Sequence, residues 1–514
     1  MDLEPEEVLF EAKRKSQLIE IEISSSVFKI CFLILVFGFF LLSLRLYFLQ
    51  IVDFQKYFSQ AKKVYQREIP VPAKRGRILS ADGKVLAETI KEKNGFKRVY
   101  YDSEIFSPVV GYVKKDDLSG VLGAEKAFDK ILRGKEGKDI EIRNAKGEIV
   151  KKWRQKNPQK GKDVVLSISS KLQKKLYEEL KKTALQKKSG GIIFNPQTGK
   201  ILALVSLPSD DANIYQKKLT PEEIKKYSSQ KKIFNENFVL RASLSPGSTI
   251  KPLISLFLLE EGIVSPSKNI FCKGFTFIGK TKFKDWKAHG LTNLKKAIAE
   301  SCDVYFYTFG PLLGEKKIKE YLDKFFWEKL LKIDLPGEEV GFVPTSEWFK
   351  ATPEGKIRKF SKGDLALISI GQGAIKITPL HLAFALASIA NGGKILKPQI
   401  LKNAKPEILA QNLVSQKNIE IVKEGMKECT LSGTCRHLKD LPVLCAAKTG
   451  TAQVKGKKPT SWFVAFCPYD NPEIFSLVVI EDIGEGHLFA GRVTKKVLEF
   501  YFQNIYPKNK PKKT

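Results

Sequence analysis

The chain has 514 residues, long enough to bury a large core and to divide into two or three domains. It carries 88 Lys and Arg against 56 Asp and Glu, a net charge of +32 that calls for an anionic partner or a lysine-rich solvated surface. Zinc-finger spacing, an RNP-type aromatic motif and a basic zipper are all missing, so nucleic acid is not the expected partner.

Residues 1–26 are charged and polar, and Val27 to Leu44 is apolar except for Lys29, Gly38 and Ser43. Continued through Leu46–Leu49, this run is long enough to cross a bilayer, with Lys29 and Arg45 snorkelling at its two ends. The bulky Leu46-Tyr47-Phe48-Leu49 offers no small-x-small cleavage site, so an uncleaved anchor is expected. Lysine and arginine are nearly balanced across it, and positive-inside counting leaves its orientation open.

From 50 to about 165 the chain reads as short strands and turns, a mixed α/β module. Asp82-Gly83 between Ile78-Leu79 and Val85-Leu86-Ala87 is a hairpin signal. Composition changes around Asn157–Gly161. Beyond it, Asp163–Ile168 alternates like a strand, Ser170–Leu185 has helical spacing, and Gly190–Phe194 and Ile201–Val205 flank the turn Asn195–Gly199. Strand, helix, hairpin and a following long helix predict one α/β domain running toward the C-terminus.

Three stretches carry chemistry. In Ser245-Pro246-Gly247-Ser248-Thr249-Ile250-Lys251-Pro252, the Pro-Gly turn puts Ser248 near the start of a helix, and the i, i+3 spacing sets Lys251 beside it. A serine hydroxyl needs a base to become a nucleophile, and a lysine can serve if burial or a neighbouring cation lowers its pKa. In Ala299-Glu300-Ser301-Cys302-Asp303-Val304, a small polar triplet interrupts an amphipathic helix and offers a second hydroxyl to relay a proton. In Lys448-Thr449-Gly450-Thr451, an edge strand before the strand Ser461–Phe466 offers a cation, two hydroxyls and a close backbone for a carboxylate and an oxyanion. His289 reads as a loop residue near the cleft rather than a base. Each stretch alone is a common pattern. Their order in one chain is the set used by penicilloyl-serine transferases.

The seven cysteines show no Cys-x-x-Cys spacing and there are four histidines, so no metal site or cofactor is expected. Cys429 and Cys435 could bridge in an oxidising compartment; free buried thiols are the expectation.

Further motifs extend the pattern. They are Arg75-Gly76-Arg77-Ile78, Asn195-Pro196-Gln197-Thr198-Gly199-Lys200, Ile333-Asp334-Leu335-Pro336-Gly337-Glu338, Ile370-Gly371-Gln372-Gly373 with Thr378-Pro379-Leu380, and Trp462–Tyr469. With them the chain resembles the class B penicillin-binding proteins, the monofunctional D,D-transpeptidases of peptidoglycan synthesis. Ser301-Cys302-Asp303-Val304-Tyr305-Phe306-Tyr307, with aspartate where most of the class has asparagine, is most similar to the elongation branch, penicillin-binding protein 2. An ionised Asp303 can only accept hydrogen bonds, which leaves its role open.

The resemblance implies an α/β (α+β) transpeptidase domain of β-lactamase-like fold, preceded by a mixed α/β pedestal (dimerisation-type) domain and one transmembrane helix. The implied division is a cytoplasmic tail 1–26, an anchor 27–49, the pedestal 50–165, the transpeptidase 166–506 and a basic tail 507–514. It implies catalysis by Ser248, Lys251 and Ser301, and substrate binding by Asp303, Lys448, Thr449, Gly450 and Thr451. The implied location is the cytoplasmic membrane, with the N-terminus inside and the catalytic domain outside. The implied partners are lipid-linked peptidoglycan stem peptides, β-lactams, the membrane, a SEDS-type (RodA-like) glycosyltransferase and other membrane proteins of the elongation complex. A division-type enzyme, a D,D-carboxypeptidase or β-lactamase-like hydrolase, and a silent scaffold that activates the glycosyltransferase are the alternatives.

Overall fold

The computed structural model describes residues 24–93, 95–144, 146–217, 220, 222, 237–351 and 360–506. Most of the charged N-terminal tail and all of the basic tail 507–514 lie outside the described residues. The chain forms two compact units: one holds the described residues up to Val71 with Glu136–Asn157, the other Pro72–Lys135 and the chain from Pro158 onward.

In the first unit, α1 (Ser25–Tyr47) starts at the N-cap Ser24, whose hydroxyl accepts from Ser26 N. Its residues and those up to Val52 make a 28-residue apolar helix with mean hydropathy 2.7 and nothing buried. At about 1.5 Å per residue this exceeds the ~30 Å of bilayer hydrocarbon. An amphipathic α2 (Phe54–Tyr65) follows, and then an antiparallel sheet in the order Gln66–Val71, Gly137–Arg143, Ile149–Lys156. Cross-strand pairs of Glu141 with Lys152 and Asp139 with Arg154 line this sheet.

The second unit is built on a five-stranded antiparallel sheet of β1 (Ser189–Phe194), β2 (Ile201–Leu207), β3 (Ala446–Ala452), β4 (Thr460–Cys467) and β5 (Ile474–Ile480), in the order β3-β4-β5-β1-β2. β2, β4 and β5 are mainly apolar runs because both faces are covered, while the edge strand β3 carries Lys448, Thr449 and Thr451. Trp462, Val464 and Phe466 of β4 enter one core, and Phe463, Ala465 and Cys467 enter the other, as the two-residue strand period requires. The second face is covered by α3 (Ser170–Ala184) and the C-terminal helix Ala490–Asn504, through Leu172, Leu176, Leu180, Val493 and Val497.

The first face carries α4 (Lys251–Glu260), α5 (Leu294–Ala299), α6 (Asp303–Phe309), α7 (Pro379–Ala390) and α8 (Gln416–Leu431). α4 and α7 are apolar nearly all round, as helices at the centre of a core must be. α7 begins with Thr378 as N-cap and Pro379 at its first turn.

Residues 72–135 belong to this unit because Ile78, Leu86, Ala87, Tyr100 and Phe106 share its core with Ile192 and Phe194. The Asp82-Gly83 hairpin forms between Ile78–Leu79 and Val85–Glu92. Arg75 Nε and Arg98 Nε bind the two oxygens of Glu125 at 2.7 and 2.6 Å, with all three side chains out of water. Gly76 is required beside them, since a Cβ there would lie 2.0 Å from Lys162 O.

Candidate active site

Pro246 and Gly247 make a turn, and Ser248 follows on a single 3-10 turn, Gly247–Ile250; α4 starts only at Lys251. The close fit of this turn explains the Gly-Gln-Gly motif. Gly247 N donates to Gly371 O at 2.9 Å, and a Cβ on Gly371 would stand 2.2 Å from Gly247 O. On its other side the turn abuts β3: a Cβ on Gly247 would lie 3.0 Å from Thr451 C and O. β3 is the sheet edge, and Gly450 lets it approach, since a Cβ there would meet Thr249 Cγ2 at 2.7 Å.

The expected helical break at residues 300–302 is a sharp one. Ser301 holds φ +59, a left-handed conformation uncommon for serine, between α5 and α6. Cys302 N to Ala297 O (3.0 Å), Thr434 N to Ala299 O (3.1 Å) and Val304 N to Asp285 Oδ2 (3.0 Å) hold it there.

Four of the sequence-derived residues meet at one buried point. Lys251 Nζ donates to Ser301 O at 2.7 Å, Ser301 Oγ at 3.2 Å and Asp303 Oδ1 at 2.6 Å. Lys448 Nζ donates to Ser301 Oγ at 2.9 Å and to Thr449 O at 3.1 Å. Both lysines are fully buried. The hydrogen bonds of Lys251, three positions from Ser248 in the chain, go to Ser301 and Asp303. A charged carboxylate outcompetes a neutral hydroxyl for an ammonium group.

Burial lowers the Lys448 pKa to about 8, with the Lys251 charge adding to the effect and the neighbouring acidic groups opposing it. Burial raises Asp303 above the usual carboxylate range, against the pull of Lys251. Thr449 Oγ1 lies 2.8 Å from Thr434 Oγ1, and Thr451 Oγ1 accepts from Gly486 N at 3.2 Å.

Sequence reasoning missed a second cluster directly beneath Ser301. Cys272, Asp285, His289 and Cys302 bring one ligand atom each to within 4.8 Å of one another. Asp285 Oδ2 is 3.5 Å from Cys272 Sγ, 3.3 Å from Cys302 Sγ and 3.4 Å from His289 Nδ1, and Cys272 Sγ is 3.5 Å from His289 Nδ1. Donors about 2.0–2.3 Å from a tetrahedral Zn²⁺ stand roughly 3.3–3.8 Å apart, so the four fit such an ion. The other ring nitrogen of His289 lies 3.3 Å from Glu300 O, the backbone partner a ligating histidine uses. These ligands come from separate segments rather than Cys-x-x-Cys pairs, which is why spacing alone excluded a metal. His289 belongs to this cluster rather than to the lysine–serine centre.

Cys429 and Cys435 are free buried thiols as expected, and the disulfide that does form, Cys445–Cys467, is one the spacing did not indicate. Cys445 and Cys467 flank the Ala446–Phe466 pair of the β3–β4 ladder, so its register sets them opposite each other.

The family models place this geometry. The model "Penicillin binding protein transpeptidase domain" matches residues 189–499, and "Penicillin-binding Protein dimerisation domain" matches residues 89–166. The chain is 32% identical over 452 residues to the peptidoglycan D,D-transpeptidase MrdA of Acinetobacter baumannii, covering 79% of this chain and 66% of that protein. It is similar to a penicillin-binding protein (PBP2) of Helicobacter pylori solved in complex with MreC, with TM-score 0.75 and 25% identity over 86% of this chain and all of that one. A chain from the structure described as "Structural coordination of polymerization and crosslinking by a peptidoglycan synthase complex" also matches, with TM-score 0.75 and 25% identity, covering 94% of this chain and 99% of that one. With the Ser248 turn, the Ser301 break and the Lys448 strand set round one buried point, the chain belongs to the penicillin-binding protein transpeptidase family.

Proposed function

We propose that this protein is a peptidoglycan D,D-transpeptidase that cross-links stem peptides through an acyl-enzyme on Ser248, in the elongation branch of the family. The observation that carries the reading is the Lys251–Ser301–Lys448 chain, two buried ammonium groups sharing one hydroxyl oxygen beside the Ser248 turn. Lys251 takes the Ser248 proton as the hydroxyl attacks the carbonyl between the last two D-alanines. Ser301 Oγ already accepts from both lysines, so its own proton is free to go to the departing amine. Lys448 with the Thr449 and Thr451 hydroxyls holds the terminal carboxylate, and the Ser248 and Thr451 N–H groups hold the oxyanion. An amine of a neighbouring stem peptide resolves the acyl-enzyme. β-Lactams acylate Ser248 as donor mimics. An ion on Cys272, Asp285, His289 and Cys302 would brace the Ser301 turn, and no step passes through it.

In this reading α1 is a single-pass anchor with the N-terminus inside and the catalytic unit outside. The Cys445–Cys467 disulfide suits that oxidising side. The partners are lipid-linked stem peptides, a SEDS-type glycosyltransferase and other membrane proteins of the elongation complex. The relatives' complexes with MreC and within a peptidoglycan synthase support this.

The test is the intact mass of wild type and Ser248→Ala after labelled penicillin. A stoichiometric, slowly lost adduct on wild type alone is expected. Rapid turnover would make the protein a hydrolase, and no adduct on folded protein would leave the scaffold reading.

A further inference from the structure

Cys429 and Cys435 lie immediately behind the β3 strand that carries Lys448 and Thr449. Of the seven cysteines, Cys445 and Cys467 are bonded, Cys272 and Cys302 sit in the metal-type cluster, and Cys31 is exposed on α1. Cys429 ends α8, and the chain turns back so that Cys435 N donates to Cys429 O at 2.9 Å. Such backbone contact sets two residues at the separation disulfides bridge. Both sulfurs are shut from water and converge on one hydroxyl: Thr434 Oγ1 is 3.3 Å from Cys429 Sγ and 3.9 Å from Cys435 Sγ. That oxygen is also 2.8 Å from Thr449 Oγ1. In the closed turn Thr434 N binds Ala299 O at 3.1 Å, and a Cβ on Gly433 would lie 2.1 Å from the same carbonyl oxygen.

We propose that Cys429 and Cys435 are a redox-modifiable pair, the site of a second disulfide, and that Thr434 passes its state to the Thr449 hydroxyl. The inference rests on the reading above, in which Thr449 holds the donor carboxylate.

The pair is set for exchange. Burial pushes the Cys429 thiol up, but the hydrogen bond from Cys435 and the Lys448 charge outweigh it and hold Cys429 below the usual thiol range. Burial and the same hydrogen bond keep Cys435 protonated. Cys429 is therefore the attacking thiolate and Cys435 the resolving thiol. Cys429 attacks a disulfide of a small molecule or an oxidoreductase and releases one thiol. Cys435 loses its proton, attacks the Cys429 sulfur of the mixed disulfide and releases the second thiol. Two electrons pass to the incoming disulfide, which leaves as two thiols. With both sulfurs buried, this occurs while the 431–436 turn is open or before it closes in folding.

In the reduced state Thr434 donates to the Cys429 thiolate, so the Thr449 hydroxyl spends its proton on Thr434 Oγ1. In the disulfide the thiolate acceptor is gone, Thr434 donates to Thr449, and the Thr449 proton is released toward a substrate carboxylate. Oxidation should therefore change the acylation rate, by about three- to tenfold for one hydrogen bond to a charged group.

Full-length protein in detergent micelles is equilibrated in glutathione buffers of graded potential, alkylated, digested and mapped by mass, with penicillin acylation timed on the same samples. The expected result is a peptide linking Cys429 to Cys435, two hydrogens lighter, whose yield tracks the change in acylation rate. Thr434→Val should still form the bond and lose the rate difference. Two free thiols at every potential that preserves Cys445–Cys467, or a bond with no change in rate, would overturn the proposal. If Ser248 is never acylated, the catalytic reading fails instead, and the peptide map still reports on the pair.

Discussion

Lys448 sets how the site responds to pH. Its pKa is lowered from 10.5 to about 8 by burial, so it is charged below pH 8 and neutral above. A neutral lysine cannot attract a carboxylate, and acylation by penicillin should fall through about pH 8 rather than 10.5. A rate held flat to pH 10 would contradict this. The sign for stability is opposite. Between the two pKa values the unfolded chain binds the extra proton, so unfolding free energy rises with pH in that window.

The Lys251–Asp303 pair makes a second residue-scale test. Removing the carboxylate leaves the buried Lys251 ammonium without its counter-charge, so Asp303→Ala should cost about 3–5 kcal/mol in urea unfolding. Adding Lys251→Met should recover most of that loss. If the single variant matches wild type, the ion pair is not present in solution. The aspartate was legible in the sequence, but its partner was not, because i, i+3 spacing says which face Lys251 occupies and nothing about which acceptor lies across the cleft.

Single elements matter here mainly through how they are held. Ser301 sits at φ +59 between two short helices, a conformation that persists only because its surroundings fix it. The Cys272–Asp285–His289–Cys302 cluster ties hairpin segments to the start of α6 at that point. Purified protein should carry about one Zn²⁺ per chain by elemental analysis. Chelation should lower its Tm by several degrees, and Cys302→Ser should lose the metal. Metal-free protein with an unchanged Tm would count against the site. At this scale the sequence reading was uneven. The helix from Ser170, the hairpin at Asn195–Gly199 and the strand pair around Lys448 and Ser461 follow directly from periodicity and turn residues. The 3-10 turn at Ser248 does not. Its shape comes from Gly371 pressing on Gly247, a contact between residues far apart in the chain.

For the molecule as a whole, the Arg75–Glu125–Arg98 group tests what holds residues 72–135 together within their unit. Glu125→Gln leaves two buried guanidinium groups without their shared charge. It should destabilise that unit by about 3–5 kcal/mol in denaturant. Loss of less than ~1 kcal/mol would mean that apolar packing alone holds this segment together. The sequence by itself determined the apolar span, the order of the three chemical motifs and the amphipathic or doubly buried character of the main elements. These depend on residue type and on spacing along the chain. Only the tertiary structure decided that Lys251 meets Asp303, that Cys445 pairs with Cys467, and that four scattered donors converge beneath Ser301. Each depends on the packing of segments remote in sequence, whose register and approach are set by the shared core.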